Sequence, residues 1–231
     1  MIFAIARKAV RNDAIQNLYR GTNFLKKEKE SNMKSALMLG VNPNAEREIN
    51  DFYATNPKAM ELALPYLEKI GLSYNVWECA CGKGHLSEVL KTHGYSVKST
   101  DLIDRGYGEI QDFLQCLGEN VYDGDIVTNP PFKLAEEFVK NGMSLISKGH
   151  KVCLFLKVQF LESKNRYKLF KKYPLKKLLV YSERQQCAKD ADFEKYTATT
   201  QCYCWFVFEK GYDGEPTIDW IIDHKTEKGG E

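Results

Sequence analysis

Apolar and polar positions change rhythm about a fifth of the way along the chain. Residues 1–48 hold few bulky apolar side chains after Leu25 and carry Arg7, Lys8, Arg11, Arg20, Lys26, Lys27, Lys29 and Lys34. Ala4 to Leu18 has the spacing of an amphipathic helix, and the remainder of this stretch reads as a flexible basic arm. From about Ile49, short apolar runs alternate with helical periods. Pro57 to Ile70 places Met60, Leu62, Leu64 and Leu67 at helical intervals, with a kink expected at Pro65. Asn75 to Cys79 reads as a strand, Gly82-Lys83-Gly84 as a turn, and Leu86 to Thr92 as a helix stopped by Gly94. Further strands are expected at Tyr95 to Thr100, Asp125 to Thr128, Lys151 to Lys157, Lys177 to Tyr181 and Tyr203 to Glu209. Helices are expected at Leu134 to Ile146 and Ser163 to Lys171, while residues 183–200 are polar and lack a clear period.

Strands alternating with helices in units of this length predict an α/β fold, a mainly parallel sheet with helices on both faces. The domains expected are a basic extension over 1–48, a folded domain over 49–223 and a loose tail over 224–231. Composition adds modest constraints. Hydrophobic residues are 43% and charged residues 28%, as in ordinary globular chains, and the net charge of +2 is too small to imply nucleic-acid binding by itself. No apolar run approaches the roughly 18 residues that span a bilayer. The start, Met1 to Ala6, meets Arg7 and Lys8 at once and is a poor signal peptide, so no membrane partner is expected.

The seven cysteines are odd in number and mostly lie in apolar runs, which favours reduced thiols in a cytoplasmic compartment. The pairs Cys79/Cys81 and Cys202/Cys204 have C-x-C spacing rather than the C-x₂-C of structural zinc sites, so packing is preferred to metal and no metal is assigned. Four histidines, His85, His93, His150 and His224, share no spacing and receive no catalytic role.

Candidate chemistry gathers at strand ends, where open parallel sheets bind ligands. After the fourth element comes Asn129-Pro130-Pro131-Phe132. Consecutive prolines donate no backbone hydrogen bond and fix their own φ, so they hold the Asn129 carboxamide and nearby carbonyls rigidly beside an aromatic face. Such a group suits a planar molecule with an exocyclic amine. After the first strand, Glu78 to Gly84 sets an acid before two glycines that let the backbone approach a ligand. Position 87 is Ser where a dinucleotide motif would have Gly, and an acid at Glu78 suits a cationic ligand better than a pyrophosphate. S-adenosylmethionine carries an ammonium and a sulfonium. Asp101, 17 residues after Gly84 at the next strand end, has the placement of a ribose-binding acid, and Asp112 with Phe113 can hold an adenine by its amino group and face.

These residues resemble the amino-methylating DNA methyltransferases. Asp51-Phe52-Tyr53-Ala54-Thr55-Asn56-Pro57 is similar to their first cofactor motif, Glu78 to Gly84 to their glycine motif, and Asn129 to Phe132 to their catalytic motif. The order resembles small phage and prophage N6-adenine enzymes, and the likeness extends over Lys157 to Arg166 and Trp205 to Tyr212, covering about residues 49–222. The resemblance implies a Rossmann-like class I methyltransferase fold with a seven-stranded sheet. It implies S-adenosylmethionine as cofactor, held by Tyr53, Thr55, Glu78, Ala80, Gly82, Gly84, Asp101, Asp112 and Phe113. It implies transfer to the N6 amine of adenine in DNA at Asn129, Pro130, Pro131 and Phe132, with the base flipped out of the duplex. The setting implied is the cytoplasm of a bacterial or phage-infected cell. Lys133, Lys157, Arg166 and Arg184 are the candidate phosphate contacts. One departure stands out: about 100 residues follow Phe132, too few for the large target-recognition domain of restriction-type members. Recognition would then fall to residues 183–200 or to the basic arm. The alternatives are an RNA adenine or protein glutamine methyltransferase, or a DNA-associated protein that binds the cofactor without turnover. The chain leaves the oligomeric state, monomer or dimer, open.

Overall fold

A computed structural model of the chain describes residues 53–119, 121–189, 193 and 200–223. The expected extension over 1–48, with its helix at Ala4 to Leu18, and the expected tail over 224–231 lie outside the described residues.

The apolar runs form the strands of one eight-stranded sheet. These are β2 (Asn75–Glu78), β3 (Ser96–Asp101), β4 (Glu109–Ile110), β5 (Asp125–Thr128), β6 (Lys151–Lys157), β7 (Leu175–Tyr181), β9 (Tyr203–Glu209) and β10 (Thr217–Ile221), in the order β10-β7-β9-β6-β5-β2-β3-β4. All neighbours are parallel except β9, which runs antiparallel between β6 and β7. The seventh strand expected from the resemblance is joined by an eighth, since β10 adds to the edge beside β7. β10 was not foreseen. Thr217, Ile218 and Trp220 are exposed on it, and of its apolar residues Ile221 alone enters the core.

Helices cover both faces, as the alternation requires. α1 (Pro57–Lys69) and α2 (His85–Thr92) pack with Val76, Val127, Cys153, Phe155 and Trp205 on one face. α3 (Ala135–Leu145) and α4 (Lys164–Lys172) pack with Trp77, Ile126, Leu154, Phe206 and Phe208 on the other. Consecutive strand residues thus alternate between two cores, which is why β6 and β9 are apolar almost throughout. α1 is capped by the Asn56 side chain, which accepts from the Lys58 N–H, and Pro57 fills its first position. It continues through Pro65, whose exposed position puts the missing hydrogen bond on the water side.

Residues 183–200 contain a strand after all. β8 (Cys187–Lys189) pairs antiparallel with β1 (Tyr53–Thr55) in a separate two-stranded ladder. Asn56 extends the ladder, its N–H donating to the Gln186 carbonyl and its side-chain amide to Gln186 Oε1, both at 3.2 Å. Among the described residues, no helix is long and apolar enough to cross a membrane.

Candidate active site

The carboxyl ends of β2, β3 and β5 are adjacent in the sheet and bring three motifs to one edge. Glu78 ends β2, Asp101 ends β3, and Asn129 follows β5.

The glycine turn is built by backbone geometry. Gly82 and Gly84 both have positive φ, +55° and +83°, where a side chain is strained. A Cβ on Gly84 would also lie 2.5 Å from the Tyr107 ring, which folds across the turn from the loop after β3. The Asp101 carboxylate pins the same turn: Oδ2 accepts the Gly82 N–H at 2.8 Å and Oδ1 the Ile103 N–H at 3.0 Å. Asp101 stays half-buried, and each oxygen keeps a lone pair for a further donor. Ala80 is half-buried and packs against the core cluster of Trp77 and Phe113.

Glu78 lies beneath the turn and is 2% exposed. Burial pushes its carboxyl up to about 8, against the pull of a hydrogen bond donated by Ser87. Ser87 also bonds Ser99 Oγ at 2.7 Å. The serine at position 87, which departs from a dinucleotide motif, therefore serves the buried acid. Ser87, Ser99 and Tyr107 were not foreseen as part of this site; the flanking Gly106 and Gly108 were the one local signal for Tyr107.

Phe113 corrects an expectation. It is 2% exposed, with Trp77 edge-on at 5.4 Å and Phe138 tilted against it at 4.8 Å, so the ring is core and offers no face to an adenine. Asp112 stays half-buried and caps the 3₁₀ turn Phe113–Gln115, its Oδ1 accepting the Leu114 N–H at 2.9 Å.

Asn129 is tied down from one end of its amide. Its Nδ2 donates to the Tyr53 carbonyl at 3.2 Å and to Thr55 Oγ1 at 2.8 Å. Its Oδ1 is buried and accepts no hydrogen bond. Native structures seldom leave such an atom unpaired, so a buried acceptor without a donor marks a place for a ligand. Thr55, expected at the cofactor, is 3% exposed with its hydroxyl committed to Asn129. Tyr53 is half-buried and contributes its carbonyl here. Pro130 is buried, and the Pro131 carbonyl accepts from the Leu134 N–H at 2.8 Å, starting the 3₁₀ turn that holds Phe132.

Phe132 is half-buried, 6.1 Å from the Tyr203 ring, and the Lys157 ammonium lies 5.0 Å from its centroid. Lys157, expected at a phosphate, thus rests on the aromatic ring. Arg166 is turned inward on its own segment. It donates to the Glu162 carbonyl and, at 3.4 Å, to the Gln159 carbonyl, with its guanidinium 5.4 Å from the Phe160 ring centroid. Lys133 and Arg184 are exposed, as phosphate contacts require. The C-x-C cysteines divide between environments: Cys79 and Cys204 are buried in the core, Cys81 lies under the glycine turn and Cys202 packs at the edge of the core. Among the described residues no group of three or more His, Cys, Asp or Glu is placed to hold a metal.

No protein-family model and no curated protein matches the sequence. Solved structures do resemble it. A Listeria monocytogenes protein assigned to the class I S-adenosylmethionine-dependent methyltransferases matches 87% of this chain and 76% of its own length, at 13% identity and a TM-score of 0.54. A Vibrio vulnificus protein assigned as the modification subunit of a type I restriction enzyme matches over 75% of this chain and 48% of its own, at 15% identity and a TM-score of 0.49. Magnesium protoporphyrin IX methyltransferase from Synechocystis, solved with S-adenosylmethionine bound, matches over 67% and 79%, at 14% identity and a TM-score of 0.46. Of these, the Listeria protein has the TM-score above 0.5, and at that identity the likeness is one of fold: the Rossmann-like fold of class I methyltransferases.

Proposed function

We propose that this chain transfers a methyl group from S-adenosylmethionine to the exocyclic N6 amine of adenine in DNA. The observation that carries the proposal is Asn129, whose buried Oδ1 lacks a donor while its NH₂ is tied to Tyr53 and Thr55. An amine entering beside Phe132 meets a fixed acceptor there.

The cofactor half fits the same reading. The positive-φ glycines bring backbone close to a ligand, and Asp101 retains lone pairs for ribose hydroxyls, whereas the buried, neutral Glu78 supports the turn from beneath rather than facing a cationic ligand. Asp112 is the remaining polar group for the adenine of the cofactor. When bound, S-adenosylmethionine supplies an electrophilic methyl on sulfur.

The chain's own residues position the other reactant. The adenine amine is a weak nucleophile because its lone pair is delocalised into the ring. Asn129 Oδ1 and the Pro130 carbonyl accept its two N–H bonds, which draws the nitrogen toward a pyramidal geometry and aims its lone pair at the methyl. The positive charge that develops on nitrogen is stabilised by these fixed dipoles until a proton leaves. Phe132 provides a stacking face, and a base arriving on the side of Lys157 takes the place of its ammonium. The displaced Lys157, with Lys133 and Arg184, is then free to meet phosphates. The duplex yields the base by flipping it out, at a cost of a few kcal/mol.

The test is incubation with S-adenosylmethionine labelled in its methyl group and, separately, duplex DNA, single-stranded DNA and total RNA, followed by digestion to nucleosides. Label in N6-methyldeoxyadenosine is the expected result. Label in 5-methylcytosine, in RNA alone or in protein alone would overturn the proposal.

A further inference from the structure

We infer that the β1–β8 ladder is a clamp that sets which end of the Asn129 amide faces the reacting amine, with Thr55 as its positioning residue. This inference rests on the proposed role of Asn129 and deepens it.

An asparagine amide has an accepting end and a donating end, and only the accepting end can hold an amine for methylation. Both ends have the same size, so steric fit alone does not choose between them. The Tyr53 carbonyl makes the choice. It can only accept, and it lies 3.2 Å from one end of the amide, so that end must be the NH₂. Thr55 Oγ1, 2.8 Å away, accepts the second N–H. Oδ1 is thereby turned to the other side, where it remains buried and without a donor.

Thr55 is held in turn by β8. Cys187 lies directly opposite it in the ladder. Burial pushes the Cys187 thiol up to about 12, so it stays neutral. The Thr55 oxygen presents a lone pair to the Asn129 NH₂. The chain of contacts runs Cys187, Thr55, Asn129, target amine, and it crosses from β8 through β1 to the end of β5.

The clamp has a further chemical consequence. Asn129→Asp is not conservative here, because its second oxygen would face the Tyr53 carbonyl with no proton between them.

Two measurements test the clamp independently of the substrate assigned. In protein labelled with ¹⁵N-asparagine, with Asn129→Gln used for assignment, the Asn129 side-chain protons should exchange slowly with water. Thr55→Val should speed that exchange at least tenfold, and Thr55→Ser should restore it. Unchanged exchange in Thr55→Val overturns the clamp whether or not adenine is the target. In methyl-transfer assays with adenine-unmethylated DNA, Thr55→Val should lower kcat about tenfold or more while KM for DNA and the Kd for S-adenosylmethionine stay within twofold. Thr55→Ser should recover most of kcat. A rise in the cofactor Kd with kcat unchanged would return Thr55 to the cofactor and overturn the inference. If wild type never labels adenine while the exchange pattern holds, the clamp stands and the proposed substrate falls.

Discussion

The two ends of the central sheet handle polar groups in opposite ways. At the amino ends of the parallel strands, Asp125 is fully buried and fully engaged. Its Oδ1 accepts the Lys151 N–H at 2.8 Å and faces His150 Nδ1 at 3.1 Å, while Oδ2 accepts the Ser73 N–H at 2.8 Å. The Lys151 ammonium lies 3.8 Å from that carboxylate, donates to the Gly71 carbonyl at 2.7 Å and reaches Glu209 at 3.9 Å. At the carboxyl ends, Glu78 is buried with Ser87 as its donor, and among the described residues no cation is paired with it and Asn129 Oδ1 has no donor. The first set closes on itself and serves the fold. The second is left incomplete, and incompleteness at strand ends is what a binding site requires.

The largest effect expected from breaking this contrast is at the closed end. Asp125→Ala takes the buried acceptor from the Ser73 and Lys151 N–H groups and leaves Lys151 with Glu209 at 3.9 Å as its remaining carboxylate, and it should lower the unfolding free energy by about 3–5 kcal/mol. Urea titration measures the loss, and activity per folded molecule should be unchanged; a fall in kcat would mean that the two ends are coupled. At the open end Asn129→Ala should do the reverse. Loss of one fixed dipole should reduce kcat by about 10²–10³-fold, with Tm and cofactor binding by calorimetry nearly unaltered. Full activity would remove Asn129 from the mechanism.

A third prediction concerns pH. The Glu78 carboxyl is raised in the folded protein from 4.5 to about 8. Between those values the unfolded chain has released this proton and the native state still holds it. The stability contributed by the neutral carboxyl is therefore complete below pH 4.5 and is lost as pH rises through 8. Over that window unfolding free energy should fall by about 1.4 kcal/mol per pH unit from this proton. Glu78→Gln should remove this part of the slope in urea titrations run across the range; an unchanged slope would mean that Glu78 is ionised in the native state. The smallest effect belongs to the surface. Replacing Lys133 and Arg184 together by Ala should weaken DNA binding a few-fold and flatten its dependence on log salt by about 1 per lost contact. Equal salt slopes for mutant and parent would exclude both from the DNA path.

Legibility differed between elements for identifiable reasons. β6 and β9 were plain in the sequence because burial on both faces demands an apolar residue at nearly every position. β8 was not, because it is short and its strand character comes from its partner β1, which lies 134 residues earlier at the Ala54↔Ala188 pair. Phe113 follows Asp112 in the same way whether its ring faces a ligand or the core. The positions of Trp77 and Phe138 decided for the core. Lys157 and Arg166 were recognisable as cations near strand ends, but their rings and carbonyl partners depend on how the chain turns after β6.

By itself the sequence determined the α/β alternation, the two-faced core and the order in which Glu78, the glycine turn, Asp101 and Asn129 reach strand ends. Those features follow from local periodicity and turn chemistry, which neighbouring residues carry among themselves. The tertiary structure alone decided which end of the Asn129 amide is free. That choice depends on a carbonyl and a hydroxyl 76 and 74 residues earlier in the chain, and only folding brings acceptors so distant in sequence within hydrogen-bonding distance.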